Sequence, residues 1–108
     1  MKKLLSILLA AFLLLSLTTG LAAEETKIGV SIMELTAYTW YLGVIDGVNQ
    51  WARDNPDANF VFQFEDSRSD VSTMLNNVDN LLTWGAKGII LFPADASSAI
   101  PTMKQYTE

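Results

Sequence analysis

Three times in succession, a short run of apolar and β-branched residues gives way, across a brief turn, to apolar positions spaced three and four apart. The runs are residues 27–32, 59–64 and 88–92. The first periodic stretch carries Trp40, Tyr41, Val44, Ile45, Val48 and Trp51, and the second Val71, Met74, Leu75, Val78, Leu81 and Leu82. Period-two or continuous apolar runs form strands, and three-and-four spacing forms amphipathic helices. A chain that alternates β-α-β-α-β-α with short links has few solutions. Its strands lie parallel, its crossovers are right-handed, and helices cover both faces of the sheet. The expected fold is therefore α/β, a three-layer αβα arrangement with a parallel sheet in strand order 2-1-3.

Local residues punctuate this pattern. Helix one is expected over residues 39–53, stopped by Asp54-Asn55-Pro56-Asp57, because Pro56 cannot continue it. In strand two, Phe60, Phe62 and Phe64 point to one face and Val61 and Gln63 to the other. Glu65-Asp66-Ser67-Arg68 reads as the following turn, with Ser69 or Asp70 capping helix two and Gly85 ending it. Ile89, Ile90 and Leu91 form a continuous apolar run, which suits a strand buried on both faces. Pro93-Ala94-Asp95-Ala96 is the third turn. Helix three is expected from near Ala99, capped by Ser97 or Ser98, with Pro101 in its first turn.

Residues 1–23 stand apart from this fold. Lys2 and Lys3 precede a nearly unbroken apolar run over residues 4–17, followed by Gly20-Leu21-Ala22-Ala23. That order is the order of a secretory signal peptide, with the cut expected after Ala22 or Ala23. The run is short of the roughly 20 residues a membrane span needs, so an uncleaved anchor is the lesser reading. Residues 24–108 then hold 5 basic and 12 acidic residues, a net charge of −7. A strongly acidic domain does not suit nucleic acid or an anionic membrane, both of which call for a basic face. The expected location is outside the cytoplasm, with no stable membrane insertion after cleavage. The chain has no cysteine, hence no disulfide, and no histidine, the commonest general base. About 85 residues make a small core, and nothing in the pattern pairs with the outer side of strand three. The sequence thus reads as part of a larger fold, or as a chain that needs a partner.

No catalytic constellation accompanies the pattern. It has neither a Gly-x-Gly-x-x-Gly loop nor a Gly-x-x-x-x-Gly-Lys phosphate loop. Glu34, Glu65, Asp66 and Asp95 fall on neighbouring strand-to-helix turns, where an acidic metal pocket is geometrically possible; solvated turn acids and helix caps are the simpler reading. No enzyme activity and no cofactor are expected. In open parallel sheets, ligands bind at the carboxyl ends of the strands, and there the sequence gathers aromatics: Tyr38, Trp40 and Tyr41 follow strand one. Aromatic faces stack on the apolar faces of sugar rings, while turn amides and carboxylates take the hydroxyls. Tyr41 shares the stripe of Val44, Ile45 and Val48, so it also reads as ordinary core.

IGVSI at 28–32, DGV at 46–48, EDSRSD at 65–70 and NNVDNLLTWGAKGIILFPAD at 76–95, with the export signal, give the chain a resemblance. It resembles the N-terminal lobe of periplasmic sugar-binding proteins of the ribose/galactose type, the substrate-binding components of ABC transporters. The likeness spans residues 26–108. It implies the first three βα units of a two-lobe protein that closes on a ligand, a small-molecule partner such as a sugar, and docking on a membrane permease. An alternative in the same frame is a sensing module that presents the sugar to a chemoreceptor or sensor kinase. The resemblance implies ligand contacts from Glu34, Tyr38, Trp40, Tyr41 and Phe92. Two departures stand out. The family's Asn-Pro before the aromatics is replaced here by Tyr38-Thr39, and Phe92 stands where the family often has asparagine.

Overall fold

The computed structural model describes residues 23–107, and the leader expected over residues 1–23 lies almost wholly outside the described residues. Strand β1 is Thr26–Ile32, helix α1 Trp40–Asp54, β2 Phe60–Asp66, α2 Val71–Trp84, β3 Gly88–Leu91 and α3 Ala96–Thr107. A single 3-10 turn, Pro56–Ala58, joins α1 to β2. The sheet has order β2-β1-β3. Both pairings are parallel, Thr26 to Ile32 against Phe60 to Asp66 and Ile28 to Ser31 against Gly88 to Leu91. This is the expected α/β architecture, with helices flanking an open three-stranded sheet.

Alternation along the strands sorts the two faces. Val30 and Ile32 point toward α1 and bury themselves with Tyr41, packed round by Ile45, Phe62, Phe64 and Phe92. Gly29 and Ser31 face the other way, toward α2, whose Met74, Val78 and Leu81 are buried. A Cβ on Gly29 would lie 2.9 Å from Leu81 Cδ1 and 3.0 Å from its Cβ. Glycine here is what lets α2 settle onto the central strand. α3 lies on the α2 side, burying Ala99 and Thr102 and joining Tyr106 to Asp79 by a hydrogen bond.

Caps account for the boundaries. Asp70 accepts from Thr73 N at 2.6 Å and from the Thr73 hydroxyl at 2.7 Å, so it is Asp70 rather than Ser69 that starts α2. Gly85, at φ 97°, ends α2, with its N–H and that of Ala86 returned to the last carbonyls. Asn59 takes the left-handed region at φ 54°, a conformation asparagine tolerates better than most residues.

Several sequence expectations are corrected. β2 runs on through Glu65 and Asp66, which pair with Ser31 and Ile32, so the turn begins only at Ser67. α3 starts at Ala96, not near Ala99, because Asp95 captures the Ser97 and Ser98 hydroxyls and the Ser98 N–H. An ionised carboxylate is a stronger acceptor than a serine hydroxyl. Pro101 consequently falls inside the helix rather than in its first turn. Finally, β3 is not buried on both faces: Ile90 is 45% exposed on the α1 side, because α1 covers β1 and β2 and no described residue covers β3 there.

Candidate functional site

Parallel strands with antiparallel helices bring all three strand-to-helix turns to one end of the sheet. The first two are tied together. Ser67 is fully buried, with its N–H donating to Ile32 O at 2.8 Å and its hydroxyl 2.9 Å from both Ile32 O and Met33 O. Ser69 N donates to Met33 O at 2.7 Å. Asp66 Oδ1 accepts from Arg68 N at 3.0 Å and reaches across to Leu35 N at 3.3 Å. This latch holds Arg68 and Ser69 at φ 51° and 57°, a left-handed pair that a free loop would not keep. The third turn joins through Phe92 N, which donates to Ser31 O at 2.9 Å.

Onto this frame the chain places four aromatic rings. Trp40 stacks on Tyr41 with centroids 3.9 Å apart and planes 29° from parallel. Phe92 meets both edge-on, at 5.6 Å from Trp40 and 5.2 Å from Tyr41. Tyr38 stands edge-on to Tyr41 at 6.3 Å. Edge-to-face and offset-stacked geometries are the favourable ones for aromatic quadrupoles. Tyr41 is only 3% exposed and forms the base of the cluster. Burial pushes its phenol above the ordinary tyrosine range, with Tyr38 adding to the shift. Trp40, 53% exposed, presents its other side to solvent, and Tyr38 is exposed beside it.

The five candidate residues thus come together in part. Trp40, Tyr41, Tyr38 and Phe92 form one cluster. Glu34 sits half-buried on the same turn, its carboxylate accepting from the Thr36 hydroxyl at 2.6 Å. Within the cluster the roles divide: Trp40 and Tyr38 are accessible, Tyr41 and Phe92 support them. Ser67 and Asp66 matter to the site without touching its open side. Sequence pattern does not show their latch, because it joins turns that lie far apart in the chain.

The turn acids are taken up as hydrogen-bond acceptors. Asp66 serves the two turns, and Asp95 caps α3, with the Ser97 and Ser98 hydroxyls holding its carboxyl at about 2. Among the described residues, no group of three or more acidic, cysteine or histidine side chains is placed to hold a metal ion. No described helix is long and apolar enough to cross a membrane. No family model matches the chain, and no curated protein or solved structure matches it significantly.

Proposed function

We propose that this chain is the opening part of lobe one of an exported solute-binding protein that takes a sugar or a similar small polar ligand. The observation that carries the reading is the half-exposed Trp40, braced from behind by Tyr41 and from the side by Phe92, at the sheet end where ligands of open α/β folds bind. A rigid, pre-oriented indole offers a stacking face at little entropic cost. Glu34 and the turn amides between Met33 and Thr39 supply acceptors and donors for ring hydroxyls.

In this reading a second lobe closes over the ligand, and the closed form docks on a membrane permease. The protein binds and delivers; it does not turn its ligand over. Half a pocket gives few contacts, so residues 24–108 alone bind pentoses and hexoses no more tightly than the millimolar range. Isothermal calorimetry of that chain against a panel of monosaccharides tests the division of the pocket between lobes. Micromolar affinity for the isolated chain contradicts it.

A further inference from the structure

Two buried polar atoms, the Ser31 hydroxyl and the Asn77 side-chain nitrogen, have no hydrogen-bond partner among the described residues. Ser31 is 0% exposed and Asn77 6%. Native interiors seldom leave such atoms unpaired, because each then costs its full desolvation. Both are already shut off from solvent, so chain packed around the outside does not reach them.

The fold brings the two together. α2 joins parallel strands, so it runs antiparallel to β1, and it rests Leu81 on Gly29. Four residues back along the helix is about 6 Å, and two residues on along the strand is about 6.6 Å. Asn77 therefore lies over Ser31. Val78 and Leu82 face the β3 side of α2, beside Ile89 and Leu91, which turns Asn77 toward β2. There Ser31 pairs with Glu65. Phe62 and Phe64 pack with Val30 and Ile32 on the α1 face, so Gln63 and Glu65 point, like Ser31, to the α2 face. Both are half-buried, and neighbouring strands lie only about 4.8 Å apart. Gln63 Nε2 donates to Glu65 Oε1 at 3.1 Å, leaving Oε2 as an acceptor.

The geometry points to a binding site for one water between β1, β2 and α2, held by Ser31 Oγ, Asn77 Nδ2 and the Glu65 carboxylate. Donors and acceptors balance. The water accepts from the Asn77 amide and the Ser31 hydroxyl and donates to Glu65, which gives the roughly three bonds of a buried water. A metal cation suits the site less well, because it takes oxygen ligands and Asn77 presents a nitrogen. The site lies one residue short of the latch, since Ser31 precedes Ile32 and Glu65 precedes Asp66. A water there ties α2 to the strand ends that carry the turns. This inference does not depend on what Trp40 binds.

The sign of two substitutions tests this in the whole chain expressed with its leader. With water bound, Ser31→Ala and Asn77→Leu each remove a satisfied hydrogen bond and should each lower Tm by at least about 4 °C. If the two atoms were instead unpaired, each substitution would remove a buried, unsatisfied group and raise Tm. Water-selective NMR gives the direct reading. A long-lived dipolar cross-peak should join water to the Asn77 side-chain amide, with the rotating-frame sign that separates contact from proton exchange. It should persist in Ser31→Ala, which removes the hydroxyl able to relay exchange. Calcium chloride and EDTA should leave Tm unchanged. A Tm unchanged or raised in either variant, no water contact at Asn77, or a Tm that calcium raises each overturns the proposal.

Discussion

Replacing Gly29 with alanine probes how closely α2 is seated on the sheet. The added methyl would lie 2.9 Å from Leu81 Cδ1, 3.0 Å from Cδ2 and 3.0 Å from Cβ. Carbon atoms settle at about 3.5–4.0 Å, so each contact is roughly half an ångström or more too short. Leu81 can turn its two methyls away, but its Cβ is fixed to the helix. The helix end is itself pinned, since Leu81 O accepts from Ala86 N at 3.0 Å and Leu82 O from Gly85 N at 2.9 Å. Overpacking of this kind costs about 1–3 kcal/mol. Removing a glycine from a strand returns about 0.5–1 kcal/mol. Gly29→Ala should therefore destabilise by up to about 2.5 kcal/mol, or about 4–8 °C in Tm for each kcal/mol in a domain of this size. Leu81→Ala alone empties a fully buried site and should cost about 2–5 kcal/mol. In the double variant the new methyl occupies part of that space, so the combined loss should fall short of the sum by about 1 kcal/mol or more. Urea unfolding at one fixed protein concentration, followed by circular dichroism, measures all three. A stabilising Gly29→Ala, or a strictly additive double variant, would mean that α2 does not sit where it is described.

Other outcomes follow from the site. Trp40→Ala should cost about 1–2 kcal/mol, from the lost stacking on Tyr41 and Phe92, and remove any sugar response, whereas Tyr41→Ala should cost about 3–5 kcal/mol; thermal melts paired with ligand titration separate the two. Ser67→Ala should cost about 1 kcal/mol, because Ile32 O and Met33 O keep their backbone donors from Ser67 and Ser69, and amide exchange should quicken over residues 33–39. The Asp95 carboxyl is held at about 2, below the ordinary value of 3.8, by its Ser97 and Ser98 hydrogen bonds. A depressed carboxylate contributes its stability above its unfolded value and loses it as pH falls through the folded one. The α3 amides should therefore lose exchange protection as pH drops from about 4 toward 2, and Asp95→Ala should abolish that dependence.

How legible the chain was depended on whether the deciding interaction is local. The strand order came through because three β-α alternations with short links leave almost no other arrangement. Helix stripes, the Asp70 cap and the Gly85 stop came through for the same reason, since each is written within four or five residues. Glu65 and Asp66 were misplaced into a turn because charged residues seldom continue a strand; here pairing with Ser31 and Ile32 carries them. Asp95 outcompeted the serines that looked like caps, which moved the start of α3. The apolar run at 89–91 suggested full burial, but an edge strand leaves Ile90 open. The need for glycine at position 29 has no local signature, because Leu81 creates it from far along the chain. At the site, the aromatic residues were visible in sequence, and their division into buried support and open face was not.

The central claim is that the open face of Trp40 receives a sugar. The chain's three tryptophans give three indole N–H signals in a nitrogen–proton correlation spectrum, and Trp51 and Trp84 lie at the far ends of their helices. On titration with pentoses and hexoses, the account predicts that the Trp40 indole and the backbone amides of residues 34–39 shift together in a saturable way while the other two indoles stay still. A panel in which no sugar moves Trp40, or in which Trp51 or Trp84 responds instead, contradicts it.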